Sequence, residues 1–185
     1  PAPVEGAQNE RFHTLVVDLA RDEQALLAGY NRSTRSDVKR AESDGDLRCE
    51  FFGKPGPREF AAFVGFYDEF AHGKGLPPLS TRRLELHRSN GTLALSRVAS
   101  QGDVLVWHAS ICCAGTATLS SSASLYRGKE AEFRSLVGRA NRLLHHRDML
   151  DFKANGCIVY DFGGWYDGSS DEEKLGINRF KESFG

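Results

Sequence analysis

The stretch from Thr116 to Phe162, "TATLSSSASLYRGKEAEFRSLVGRANRLLHHRDMLDFKANGCIVYDF", decides the fold. It reads as strand, long helix, strand. The serine- and threonine-rich "TATLSSSASLY" has strand patterning. "EAEFRSLVGRANRLLHHRDMLDFKA" carries Phe133, Leu136, Val137, Ala140, Leu143, Leu144 and Leu150 at helical spacing. Asn155–Gly156 stops the helix, and "CIVYDF" is a compact apolar strand. A helix between two strands of one sheet makes them parallel neighbours through a crossover.

The elements before it extend that pattern. "FHTLVVDLA" is a short strand, and "DEQALLAGY" a helix with Asp22 as N-cap. "STRSDVKRAESDG" reads as a helix capped by Ser36 and closed at Gly45. "LRCEFF" is a strand. An amphipathic helix follows, with Pro57 in its first turn and Phe60, Phe63, Val64, Tyr67, Phe70 and Ala71 on one face. A shorter helix ends at Asn90–Gly91. "TLALSRVA", "DVLVWHASICC" and "TATLSSSASLY" then form a meander, turned at Gly102 and Gly115. The fold class is α/β, a mixed central sheet flanked by helices. The final helix covers roughly residues 172 to 183.

The 185 residues suit one domain, expected over 14–185, with residues 1–13 a flexible lead. Within it, 14–45 is a leading strand and helix segment and 46–185 the core. The charge balance is 24 basic against 25 acidic residues, which excludes the broad basic field of a general nucleic-acid binder. Contact with the end of an RNA stays open. No apolar run approaches the ~20 residues of a membrane span. Cys49, Cys112, Cys113 and Cys157 show no CxxC or zinc spacing, so buried reduced thiols and a cytoplasmic location are expected, with no metal. The protease, esterase and P-loop signatures are absent.

Two C-terminal motifs, "LLHHRDMLDFKANGCIVYDFGGW" and "GINRFKESFG", resemble those of the FemABX peptidyl and aminoacyl transferases, within the GNAT acyltransferase superfamily. The upstream "LARDEQALLAGYNRSTRSDVKRAESDG" is similar to the same family's "R-x-x-x-R-x-A" helix pair, so the resemblance runs from about Thr14 to Gly185. FemABX enzymes carry two GNAT-like halves, and this length holds one. The chain also stops where the fold adds its last two strands, so these are absent or supplied by another segment. The R-x-x-G-x-G/A phosphate loop of acetyl-CoA enzymes is missing; "YRGKEAEFR" is its nearest counterpart.

The resemblance implies transfer of an acyl or aminoacyl group from acyl-CoA or aminoacyl-tRNA to an amine. The acceptor it suggests is a cell-envelope or polysaccharide precursor. It points to Lys181 of the "FK" motif as the charge that handles the donor or the developing oxyanion; a solvated helix lysine is the plain alternative. Phe180 packs beneath that site. The donor is expected between "TLSSSASLY" and "CIVYDF", with Tyr126, Arg127 and Gly128 before the long helix facing a phosphate. Asp161, at a strand end, either orients an amine or ties the following turn. Gly163 and Gly164 allow close approach of substrate or merely make the turn. Trp165 and Tyr166 line an acceptor pocket or cover the sheet edge. His108 is a general base or a hydrogen-bonded core residue. Arg35 grips a phosphate or carboxylate, or belongs to a solvated basic face. An acetyl-CoA N-acetyltransferase and a non-catalytic binding module are the rival functions.

Overall fold

The computed structural model describes residues 12–185. The elements are β1 (Thr14–Asp18), α1 (Glu23–Gly29), α2 (Arg32–Glu42), β2 (Leu47–Phe52), α3 (Pro57–Lys74), α4 (Thr81–Ser89), β3 (Leu93–Ser100), β4 (Asp103–Cys113), β5 (Thr116–Ser124), α5 (Ala131–Ala154), β6 (Val159–Gly164) and α6 (Glu172–Glu182). Of the expected flexible lead, residues 1–11 lie outside the described residues.

One mixed sheet of six strands runs β1-β6-β5-β4-β3-β2. β5 and β6 are parallel, as the strand–helix–strand reading requires, and the other pairings are antiparallel. The two meander turns place Gly102 and Gly115 at φ +94° and +77°, preceded by Gln101 and Ala114 also at positive φ. Two consecutive left-handed residues match the strand twist of a tight hairpin. β1 lies antiparallel to β6 and forms the sheet edge there.

Strand alternation feeds two cores. Leu93, Leu95, Trp107 and Ala109 face α3 and α4, packing against Phe63 and Leu84. Ala94, Val98 and Val106 face the other way, toward Val38, Leu144, Met149 and Phe184. His108 belongs to this second face, and its side chain is almost completely buried.

Local chemistry explains most element ends. Asp22 caps α1 by accepting from the Ala25 amide at 2.8 Å. Pro57 opens α3, and Gly75 closes it at φ +64°. The start of α2 differs from expectation. Asn31 is the N-cap, accepting from Thr34 N at 2.8 Å, and Ser36 lies inside the helix. Gly45 does not close it; the helix ends at Ser43, whose hydroxyl donates back to Lys39 O at 3.0 Å. Asparagine caps as well as serine does, so the earlier cap captures the additional turn. Cys113 is exposed, against the expectation of four buried thiols.

Candidate active site

β5 and β6 hold register through only three pairs, from Thr116↔Val159 to Thr118↔Asp161. Beyond them the strands part. The opening is a cavity of about 510 Å³, within the ordinary range for small-molecule sites. Leu119, Ser122, Asn141, His145, Phe162, Phe180 and Lys181 are among its walls.

The "YDFGG" strand end shapes one wall. Gly163 has φ +72°, and a Cβ there would stand 2.9 Å from Leu119 O on β5. Only glycine meets both demands. Asp161 Oδ1 accepts from Gly163 N at 2.8 Å and from the Thr14 hydroxyl, while Thr118 Oγ1 reaches Oδ2 at 3.5 Å. The carboxylate therefore ties the turn to its neighbours, the plainer of its two expected roles.

Lys181 reaches back from α6 onto that turn. Its side chain is buried, and Nζ donates to Gly163 O at 3.3 Å and to Gly164 O. An ammonium has three donors, so one remains for the cavity this residue lines. No carboxylate forms an ion pair with it among the described residues. Burial lowers its pKa, partly offset by the field of Asp161. Phe180 forms the adjoining wall, its ring 5.3 Å below the Arg142 guanidinium.

Two further residues of α5, Asn141 and His145, also face the cavity. His145 is fully buried and its pKa lies well below the ordinary value, chiefly through desolvation, then through the field of His108. Its Nδ1 lies 2.9 Å from the Tyr160 hydroxyl, whose pKa burial drives well up. That hydroxyl keeps its proton, and it engages Nδ1 of the neutral imidazole. His108 does not line the cavity. It sits one layer behind, with Nε2 2.9 Å from Asn141 Oδ1 and Nδ1 2.7 Å from Asp148 Oδ2. The signal was present: Asn141, His145 and Asp148 fall at i, i+4 and i+7, a polar line on the buried face of α5.

The other expected residues divide. Tyr126 lines the cavity. Arg127 lines a neighbouring depression and lies 3.3 Å from Glu173, which also pairs with Lys74 at 2.8 Å. Gly128 sits in the following turn at φ +70°. Gly164, Trp165 and Tyr166 line a separate shallow depression outside α6, where Asn178 clamps the Tyr166 backbone. Arg35 is not at the cavity: its Nη1 donates to Ala28 O at 3.2 Å and, at longer range, to Leu27 O and Tyr30 O. It caps the end of α1.

His108, His145 and Asp148 have ligand-type atoms within 4.8 Å of one another. Nδ1 of His108 and Nδ1 of His145 are already committed, to Asp148 and Tyr160. His108 and Asp148 are hydrogen-bonded to each other beneath the cavity, and His145 meets them through its ring, 4.2 Å from that of His108.

No protein-family model matches the chain, and no curated protein matches it. Solved structures do. FemX superposes with a TM-score of 0.72 at 14% identity, over 92% of this chain and 57% of that one. The C-terminal domain of a putative lysylphosphatidylglycerol synthetase from Agrobacterium fabrum gives 0.66 at 13% identity, covering 94% and 56%. L-PGS from Bacillus licheniformis gives 0.60 at 13%, also covering 94% and 56%. The chain thus spans just over half the length of these structures. At such identity the likeness defines the fold, which is FemABX/GNAT-like.

Proposed function

We propose that the cavity between β5 and β6 is a transferase site that moves an acyl or aminoacyl group onto an amine. One observation carries this: a buried lysine, with no carboxylate partner among the described residues, lines an opening between parallel strands, in a fold shared with FemX. An amine nitrogen attacks the donor carbonyl carbon, the C–N bond forms, and the carbonyl electrons move onto oxygen. The free donor of Lys181, carried on a buried side chain, meets that oxyanion as a fixed charge. Collapse expels the ester oxygen of an aminoacyl-tRNA or the sulfur of an acyl-CoA, and the amine loses a proton.

The FemX and lysylphosphatidylglycerol synthetase neighbours favour an aminoacyl donor and a cell-envelope acceptor. A cytoplasmic reaction fits that donor; among the described residues no helix is long and apolar enough to cross a membrane. Arg127 and Lys129 line a neighbouring depression, where a phosphate of either donor would bind in this reading. The test is transfer from alanyl-tRNA and from acetyl-CoA to glucosamine, by the wild type and by Lys181→Met. Loss of about 10²–10³-fold in turnover by a folded variant supports the assignment. Wild-type turnover in Lys181→Met overturns it.

A further inference from the structure

Beneath the cavity lies a buried carboxylate with an unusual set of partners. Asp148 is 0% exposed, one of its oxygens has no hydrogen-bond partner, and no lysine or arginine pairs with it among the described residues. Its companion is His108, 1% exposed, with Nδ1 2.7 Å from Oδ2. The second nitrogen of His108 faces Asn141 Oδ1 at 2.9 Å. An amide oxygen only accepts, so this arrangement puts a proton on His108 Nε2, while Nδ1 is held by the Asp148 carboxyl.

The consequence reaches the cavity. With its oxygen held by His108, Asn141 keeps its NH₂ for the cavity that its side chain lines. A histidine with a bare Nε2 would call for the opposite amide orientation and would turn an acceptor toward the substrate. We infer that Asn141 is a second oxyanion donor beside Lys181, and that the His108–Asp148 pair is a positioning device that fixes its amide donor-side out. The inference rests on the transferase reading above. It gives His108 a role other than general base, the first of its two expected roles: with both nitrogens engaged, by Asp148 and Asn141, it has no free lone pair to offer an ammonium acceptor.

Two measurements test this on the full chain. The first requires no substrate. Imidazole ¹⁵N shifts of His108 should show a protonated Nε2; a bare Nε2 overturns the inference. The second is the transfer assay with alanyl-tRNA or acetyl-CoA and glucosamine. Asn141→Ala should lower kcat about 10²-fold with little change in KM, as for one lost oxyanion donor. His108→Leu should do the same, and His108→Gln, which keeps an N–H for the Asn141 oxygen, should recover much of the loss. The double variant Asn141→Ala/His108→Leu should be no slower than Asn141→Ala alone, because both changes remove the same donor. Unchanged kcat in Asn141→Ala, or additive losses in the double variant, would show that the network only supports the core. Full activity in Lys181→Met would instead remove the transferase reading itself.

Discussion

Lys181 contributes charge to the cavity at the expense of stability. Its folded-state pKa is depressed, first by desolvation, with Asp161 opposing. The folded protein therefore holds this proton less firmly than the unfolded chain, and the destabilisation is full at neutral pH. It fades as pH rises from the folded pKa toward the ordinary lysine value. Lys181→Met should therefore leave the melting temperature at pH 7 unchanged or raised, with the gap over wild type closing toward pH 10. Thermal scans across that range check it, and a large loss of stability at pH 7 would make the lysine structural. His145 and His146 work in the acid direction. Both have lowered pKa values, with desolvation the largest cause. The unfolded chain protonates them first, so stability is complete above about pH 6.5 and falls below it. The loss reaches up to about 1.4 kcal/mol per pH unit for each residue. Urea melts at pH 7 and pH 5 should show the decline. Gly163→Ala forces a Cβ against Leu119 O at positive φ and should cost on the order of 1–2 kcal/mol, read from the same melts.

At the scale of elements, caps and turns were the most legible features. Asp22, Pro57, Asn90–Gly91 and Asn155–Gly156 each bound the element they were expected to bound. The start of α2 was missed because Asn31 and Ser36 are both good caps and only tertiary context separates them. Asn31 also lies against the end of α6, donating its backbone N–H to Ser183 O at 2.9 Å. Asn31→Ala should cost about 1 kcal/mol in equilibrium unfolding and leave transfer unchanged. In α5 the apolar stripe was legible and the polar line through it was not. Asn141, His145 and Asp148 gain meaning only when β4 brings His108 against them, a contact 33 to 40 residues away in sequence. Arg35 shows the converse limit. A basic run suggests anion binding, but the nearest acceptors were the carbonyls ending α1.

At the scale of the molecule, one parallel pair organises the rest. The strand–helix–strand order made β5 and β6 neighbours, and their short ladder opens the cavity between them. Sequence patterning gave the parallel pair but could not say which side chains line the opening, because strand splay depends on where pairing stops. The central claim is that this opening binds the acyl donor, and blocking it offers the most direct test. Gly176 lines the cavity from α6, and a Cβ there meets only Arg179 Nη2 at 3.8 Å, so a phenylalanine can be introduced without a backbone clash. Thermal shift of wild type and Gly176→Phe would be measured with acetyl-CoA and with a non-hydrolysable alanyl-tRNA analogue. The account predicts that one donor stabilises the wild type and leaves the blocked variant unshifted. Equal stabilisation of both proteins, or of neither, would contradict it.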